Sequence, residues 1–324
     1  MKRRKFIRNT LWATAGLTLS GGAISTYTYH MQSALPPSIA HISLPHFGQE
    51  LDIYGIQTGS VKVKRSHRNS SMGIPQIMID PFWTPWLPIW TWVIRHPEGI
   101  VLVDTGENAR VNDKDYFACD PINGWVNKSI LGFQVEKEAE IQYQLNLLDI
   151  QPKDIRFLVL THLHIDHVDG LQYFPDSQIF LSRSEHERPF GNVPCLLPSW
   201  FKPELITHSR GKLPHFSGAF PLTQQEDLWI VPTPGHTYGH QSLLLRGEKT
   251  DVLFAGDVAF SQQQLLAGKV AGINVDKKAS RHSHKQIKAY AQERPLVFLP
   301  SHDPKSGMRL QNLQALFLDR HSTG

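Results

Sequence analysis

The stretch His162-Leu163-His164-Ile165-Asp166-His167 places three imidazoles and one carboxylate within six consecutive residues. It directly follows residues 156–161, an apolar run that predicts a buried strand. Side chains at the end of a rigid strand are well placed to bind a metal ion, and His and Asp are good ligands for zinc-like divalent ions. The stretch therefore predicts a metal site. A solvated histidine-rich loop is the alternative, but it leaves further histidines and aspartates unexplained.

Three later segments repeat the order of an apolar strand, a turn and then a ligand-type side chain. His236 follows the strand-like residues 228–231, Asp257 ends residues 251–257, and His302 follows residues 296–300. Four strand ends that converge on one edge of a fold would build one site. The sequence therefore predicts that these residues join the first cluster.

Together these motifs resemble the metallo-β-lactamase superfamily, and the resemblance covers nearly all of the chain from about residue 50. Within that superfamily the chain is most similar to the acyl-homoserine-lactone lactonases. The narrower likeness rests on Leu-Pro-Ile-Trp at 87–90, Val-Asp-Thr-Gly at 103–106, Thr-His-Leu-His-Ile-Asp-His at 161–167, Thr-Pro-Gly-His at 233–236 and Gly-His-Gln-Ser-Leu at 239–243. It implies an α+β fold, the αββα sandwich of this superfamily, in one catalytic domain over residues 46–324.

The resemblance also implies a centre of two divalent ions, most often zinc. One ion would have three histidine ligands, the second would have an aspartate and two histidines, and one aspartate would bridge them. The three histidines of the first ion are His162, His164 and His236. The ligands of the second ion are Asp166, His167 and His302, and the bridging aspartate is Asp257. Asp104 and His240 would lie beside the ligands and support them without binding an ion.

Two adjacent cations lower the pKa of a shared water toward neutrality and favour an anionic transition state. The resemblance implies that the bridging hydroxide attacks the carbonyl of a lactone, most often an N-acyl homoserine lactone. Asp166 would pass a proton to the leaving alkoxide. We therefore expect a metal-dependent hydrolase that opens a lactone ring. A phosphotriesterase or arylesterase on the same scaffold is one alternative, and an exported zinc-binding protein without turnover is another.

One position departs from the lactonase pattern. Those enzymes typically carry a tyrosine three residues after the bridging aspartate, where its hydroxyl helps to bind the substrate carbonyl. Here that position is Phe260, which has no hydroxyl. Another donor replaces it, the metal alone polarises the carbonyl, or the substrate differs.

An acyl chain needs an apolar surface, and the sequence offers candidates for it. Phe260, Ile165, Trp83 and Trp86 are predicted to line a substrate pocket, with residues 189–220 as a further wall. Packing of each tryptophan on the sandwich is the alternative.

The N-terminus resembles a twin-arginine export signal over residues 1–25, because Lys2-Arg3-Arg4-Lys5-Phe6-Ile7-Arg8 precedes a modestly apolar stretch. We expect a periplasmic or exported protein, with residues 26–45 as a loose lead-in and membrane contact only through the signal. A retained membrane anchor is the alternative. The formal net charge of +4 includes five basic residues of this signal, which leaves −1 for the rest. A nucleic-acid partner therefore lacks electrostatic support. Monomer and homodimer both stay open.

The two cysteines, Cys119 and Cys195, lie outside the ligand motifs. Two separate buried thiols are favoured, although pairing in an oxidising compartment stays open. The histidines without ligand spacing, among them His46, His67 and His96, are expected to be mostly exposed.

Overall fold

The computed structural model describes residues 38–68 and 74–318, and the predicted export signal lies outside these residues. Two β-sheets run through this part of the chain. The larger sheet has eight strands in the order β1-β2-β3-β4-β6-β7-β8, and β5 pairs with β2. Its strands are β1 (Ile39–His46), β2 (Gln49–Val63), β3 (Leu87–His96), β4 (Gly99–Val103), β5 (Leu131–Gln134), β6 (Ile155–Val159), β7 (Gln178–Ser182) and β8 (Glu204–Ile206).

The smaller sheet has five strands in the order β13-β12-β11-β10-β9. They are β9 (Phe220–Pro221), β10 (Leu228–Pro232), β11 (Gln241–Leu245), β12 (Asp251–Gly256) and β13 (Leu296–Pro300). In the larger sheet β4, β6, β7 and β8 run parallel, and in the smaller sheet β12 and β13 run parallel. Parallel neighbours end at the same edge of a sheet, so residues that follow them meet there.

Eight α-helices accompany the sheets within the described residues. They are α1 (Ile74–Ile79), α2 (Pro121–Ile130), α3 (Ile141–Asn146), α4 (Ile165–Val168), α5 (Arg183–Glu187), α6 (Gln262–Leu266), α7 (Lys277–Glu293) and α8 (Ser306–Gln311). The longest helix, α7, begins after Asp276, whose carboxylate accepts hydrogen bonds from the backbone N–H groups of Lys278 and Ala279. Among the described residues, none of the helices combines the length and the apolar character that crossing a membrane requires.

The core consists of layers because alternate residues of each strand point to opposite faces. Trp92 of β3 and Phe254 of β12 belong to one buried cluster, which fills the space between the two sheets. On the outer face of the larger sheet, Ile141 of α3 packs with Leu158 of β6. On the outer face of the smaller sheet, Ile287 of α7 packs with its own cluster of apolar side chains. The order is helix, sheet, sheet, helix, as predicted for an αββα sandwich.

Two features of the fold differ from the sequence-based expectations. Residues 39–45 of the expected lead-in form most of β1, which pairs with β2 along its whole length and is therefore part of the sheet. Cys119 and Cys195 form a disulfide, with Cα atoms 6.2 Å apart across a sequence separation of 76 residues. The expectation of two separate thiols is wrong, because the fold brings the segment before α2 against the turn that contains Cys195.

Candidate metal centre

The predicted ligands follow the carboxyl ends of strands in both sheets. His162, His164, Asp166 and His167 come after β6, and His236 lies in the turn between β10 and β11. Asp257 follows β12 and His302 follows β13. The structure brings all seven predicted ligands into one buried cluster at the edge where the two sheets meet.

Three histidines converge at one end of the cluster. His164 Nδ1 lies 3.0 Å from His162 Nε2 and 3.0 Å from His236 Nε2. His162 and His236 are almost fully buried, with exposures of 0% and 3%. This arrangement offers three imidazole nitrogens to one ion.

The second group lies beside the first, and Asp257 stands between them. His302 Nε2 lies 3.4 Å from Asp166 Oδ2 and 3.3 Å from Asp257 Oδ1. His167 Nε2 is 3.5 Å from the same Asp257 oxygen, whereas the other oxygen of Asp257 lies 3.5 Å from His236 Nε2. One carboxylate therefore faces both groups, the geometry that a bridging ligand requires.

Hydrogen bonds orient the ring of each ligand histidine. The nitrogen that faces away from the centre donates to an oxygen in every case: His164 Nε2 to the Phe190 carbonyl, His236 Nδ1 to the Ile273 carbonyl, His302 Nδ1 to the Pro88 carbonyl, His167 Nδ1 to Asp104, and His162 Nδ1 to the Thr161 hydroxyl. Because the proton resides on the outer nitrogen, the inner nitrogen presents a lone pair to the centre.

Asp104 connects the two groups of ligands. Its carboxylate accepts hydrogen bonds from the Thr161 backbone N–H at 2.8 Å, the Thr161 hydroxyl at 2.9 Å and His167 Nδ1 at 2.8 Å. Thr161 in turn accepts the proton of His162. Asp104 adopts a left-handed backbone conformation with φ of 59°, which Asp tolerates better than most residues. It supports ligands of both ions without belonging to either group.

His240 lies beside the centre and is hydrogen-bonded to its surroundings through both ring nitrogens. Its Nε2 accepts the backbone N–H of Asp257 at 2.9 Å, and its Nδ1 lies 3.1 Å from the Thr233 carbonyl, to which it donates. Both nitrogens are therefore used. Gly256, next to Asp257, has φ of 54°, and a Cβ there would lie 2.7 Å from His240 Nε2. Only glycine fits this approach, which sets the direction of Asp257.

The residues present fit two divalent ions. The inner nitrogens of His162, His164 and His236 each carry a lone pair and no proton. His164 Nδ1 lies 3.0 Å from each of the other two nitrogens, and lone pairs at this distance repel each other unless a cation lies between them. His167 Nε2 and Asp257 Oδ1 are buried without a hydrogen-bond partner among the described residues. Buried polar atoms need a partner, and a metal ion supplies it for this donor set.

The charges of the centre also suit cations. Burial, with help from neighbouring histidines, lowers the pKa values of His162 and His236 well below the ordinary range, so both rings are neutral. Burial alone would raise the pKa of Asp257, but His302 and His167 outweigh it and hold that pKa well below its usual range. Burial likewise opposes protonation of His167, whereas Asp104 and Asp257 raise its pKa well above normal. Protons and metal ions therefore compete for His167.

A cavity opens directly onto these ligands. Its polar end contains His164, Asp166, His236, Asp257 and His302, and the predicted pocket residues Ile165 and Phe260 line it. The rest of its wall is mainly apolar and includes Val61, Val63, Val126, Ile130, Phe190 and Ile273. Asn123 and Asn127 of α2, together with His67, were not predicted, because each stands alone in sequence without a motif.

The prediction that Trp83 and Trp86 line this cavity is wrong. The Lys64 ammonium lies 4.1 Å from the ring centre of Trp83, and the Lys62 ammonium lies 4.9 Å from that of Trp86. Both rings lie against these lysine cations, and neither contributes to the wall around the ligands.

Four histidines without ligand spacing are buried, although most of this set was expected to be exposed: His46, His67, His96 and His284. His67 lies in the cavity wall, where burial lowers its pKa to about 3. His46 and His96 donate to one oxygen of the buried Asp227 at 2.7 and 2.9 Å. His96 Nδ1 accepts the Glu98 backbone N–H, so its Nε2 carries a proton and is not free for a metal ion. This second His/Asp cluster is therefore a hydrogen-bonded link between β1, β3 and the start of β10.

A family model described as the metallo-beta-lactamase superfamily matches residues 84–302, which is more than half of the chain and contains every ligand named above. The chain belongs to the metallo-β-lactamase superfamily. The predictions of this superfamily, its αββα sandwich and a metal-dependent hydrolase are confirmed, and the His/Asp groups of the described residues support two metal ions.

Curated relatives within this superfamily match along almost their whole length. An N-acyl homoserine lactonase from Bacillus sp is 27% identical over 259 residues, which cover 78% of this chain and 92% of the relative. The N-acyl homoserine lactonase AttM from Rhizobium radiobacter is 25% identical over 268 residues, which cover 79% of this chain and 94% of the relative.

Solved structures agree in fold. An N-acyl homoserine lactone hydrolase with N-hexanoyl-L-homoserine at its catalytic metal centre gives a TM-score of 0.65 at 22% identity, covering 79% of this chain and 94% of that one. AidC, a dizinc quorum-quenching lactonase, gives a TM-score of 0.57 at 15% identity, covering 84% of this chain and 93% of that one.

Proposed function

We propose that this protein hydrolyses the lactone ring of N-acyl homoserine lactones. Water adds across the ring ester, the bond between the carbonyl carbon and the ring oxygen breaks, and an N-acyl homoserine with a free carboxylic acid results. The observation that carries the proposal is the pair of ligand groups sharing Asp257 at the polar end of an otherwise apolar cavity. The names of the curated relatives, aligned over most of this chain, support the same substrate.

Each part of the cavity has a role in this reaction. His162, His164 and His236 would hold one ion, Asp166, His167 and His302 the other, and Asp257 would bridge them. Zinc is the proposed metal, because tetrahedral sites rich in histidine favour it. When bound, the two ions supply Lewis acidity that polarises a carbonyl oxygen and lowers the pKa of a water molecule.

Asp166 is the residue that we propose to move a proton. Its carboxylate lines the cavity and lies 3.4 Å from His302 Nε2. From that position it would take up the proton that the attacking water loses and donate it to the ring oxygen as the C–O bond breaks, which avoids release of an unprotonated alkoxide.

The apolar wall is suited to the acyl chain. Val61 and Val63 of β2 line the cavity together with Ile130 of α2 and Ile273, and Phe190 adds an aromatic side chain. Burial of a chain methylene contributes roughly 0.8 kcal/mol, so longer acyl groups should bind more tightly until the cavity is full. The wall therefore accounts for an acyl substituent better than for a small polar substrate.

The test uses the full-length protein loaded with zinc and N-hexanoyl homoserine lactone, with acid release followed by titration at constant pH. We expect rapid release with two metal equivalents bound. Asp166→Asn should reduce turnover at least about 100-fold, and the exposed Asp115→Asn serves as a matched control that should leave it unchanged. No acid release from protein that carries both metals would refute the lactonase proposal.

Phe260 favours a second candidate, hydrolysis of a phosphotriester or aryl ester. Phe260 is buried, stacks on His302 with ring centres 5.5 Å apart and offers no hydrogen bond to a carbonyl. A neutral aromatic ester would tolerate such a wall. Assays of a p-nitrophenyl ester and a diethyl aryl phosphate on the same preparation separate the two candidates. Bound metal without turnover of any of these substrates would indicate the zinc-binding protein instead.

We also propose that the protein is exported. The disulfide between Cys119 and Cys195 supports this location, because structural disulfides persist in oxidising compartments. Replacing both Arg3 and Arg4 by lysine should move the protein from the periplasmic to the cytoplasmic fraction. An unchanged amount of protein in the periplasmic fraction would exclude the twin-arginine route, and recovery in the membrane fraction would indicate a retained anchor.

A further inference from the structure

The most unusual side chain of the cavity outside the ligand set is that of His67. It lies in the short 3-10 turn Arg65–Arg68, is 5% exposed, and lines the same cavity as His164, Asp257 and His302. Both of its ring nitrogens are buried and have no hydrogen-bond partner among the described residues. Buried imidazoles normally have partners, so an unpaired one that faces a cavity indicates a partner that binds there.

The backbone holds His67 firmly although its ring is unpaired. The His67 N–H donates to the Lys64 carbonyl at 2.9 Å, and the His67 carbonyl accepts the Gly272 N–H at 2.6 Å. The preceding residue, Ser66, donates its N–H to Asp80 Oδ2 at 2.7 Å. The position is therefore built into the fold, and the ring does not turn outward to water.

Phe260 sets the direction of the His67 ring. The two rings meet edge to face with centres 5.3 Å apart, and Phe260 stacks in turn on the ligand His302. The ring of His67 therefore lies at the polar end of the cavity, which it lines together with His164, Asp257 and His302. His67 belongs to none of the metal-binding groups found in the described residues. It is a neutral imidazole with one unused N–H donor beside the centre.

We propose that the imidazole N–H of His67 donates a hydrogen bond to the carbonyl oxygen of the lactone ring. This inference rests on the proposed lactonase function. The carbonyl oxygen gains negative charge as water adds to the ring carbon, and the hydrogen bond strengthens with that charge. His67 would therefore act as a substrate-contacting donor at the place where Phe260 supplies none.

The test compares His67→Ala, His67→Gln and the exposed His282→Gln, each loaded with zinc. Loss of a donor to a developing oxyanion lowers kcat by about 100-fold. We therefore expect His67→Ala to lower kcat by about that factor with little change in KM, His67→Gln to recover part of it through its amide N–H, and His282→Gln to match the wild type. All variants should bind two metal equivalents and unfold at similar temperatures.

The identity of the oxygen is tested with two substrates. N-hexanoyl homoserine lactone has an amide carbonyl as well as a ring carbonyl, whereas a simple alkyl lactone has the ring carbonyl alone. An equal loss on both substrates supports the proposal, and a loss confined to the acyl homoserine lactone overturns it in favour of the amide oxygen.

Other results also overturn the inference. Full activity in His67→Ala would show that the ring makes no contact in the transition state. Loss of bound metal or of the fold in both His67 variants would assign the ring a structural role. A wild-type protein that opens no lactone would instead refute the proposed function and this inference with it, so the two failures are distinguishable.

Discussion

Replacement of Asp104 by asparagine should separate the two ion sites. The Asn side chain keeps the size of Asp104 and one oxygen for the Thr161 backbone N–H, which now lies 2.8 Å away. At the other oxygen it places an NH2 group, which faces the Thr161 hydroxyl at 2.9 Å and the His167 Nδ1–H at 2.8 Å. Two donors then meet at hydrogen-bond distance.

His167 relieves this conflict by moving its proton from Nδ1 to Nε2. Nε2 is the atom that faces Asp257 at 3.5 Å, and a protonated nitrogen does not bind a metal ion. Loss of a hydrogen-bonding partner behind a metal ligand weakens metal affinity by about 10- to 100-fold, or about 1.4–2.8 kcal/mol. His162 is connected to Asp104 only through Thr161, so its ion should be affected less.

The assay is competitive titration of zinc against a chromophoric chelator, with metal content measured after dialysis. We expect wild-type protein to retain two equivalents and Asp104→Asn to retain one tight and one weak equivalent. Asp115→Asn, an exposed exchange of the same type, should behave as wild type. Two tight equivalents in Asp104→Asn would refute the argument that Asp104 controls the protonation of His167.

Three further predictions concern stability and metal dependence. Asp227→Asn removes a buried carboxylate that accepts from His46, His96 and Thr223, and should lower the free energy of unfolding by about 3 kcal/mol at pH 7 in urea titrations. Burial opposes ionisation of Asp227, but these hydrogen bonds hold its pKa well below the usual range. The difference in free energy of unfolding between wild type and Asp227→Asn should therefore be complete above about pH 5 and shrink as the pH falls below about 4. A difference that stays constant with pH would contradict this reasoning. Cys119→Ser opens a loop of 76 residues and should cost about 4 kcal/mol in the same titration, with reduced wild-type protein as the matched comparison. Removal of metal by a chelator should abolish hydrolysis and added zinc should restore it, whereas turnover by protein shown to be metal-free would exclude the two-ion mechanism.

The sequence alone was sufficient to predict the fold and the candidate ligands that the structure brings together. His162, His164, Asp166 and His167 stand together after an apolar strand, and His236, Asp257 and His302 each follow another. Such local patterns carry information because strand ends in a layered fold meet at one edge. The apolar run of β6 likewise predicts a strand covered on both faces, and only Arg156 of this strand is exposed.

Only the tertiary structure decided which isolated residues join the site. His67 has no ligand spacing in the sequence, yet the turn Arg65–Arg68 places it in the cavity wall beside Phe260. Trp83 and Trp86 are as aromatic as the pocket residues, but they lie against Lys62 and Lys64 outside the cavity.

The same distinction applies to the disulfide and to the cluster around Asp227. Cys119 and Cys195 are separated by 76 residues, and His46 and Asp227 by 181. A hydrogen bond or a disulfide depends on distances of a few ångströms and on direction, and residues far apart in the chain acquire both only when the layers pack. Local pattern therefore indicated the candidate ligands, whereas the packing of distant segments determined what surrounds them.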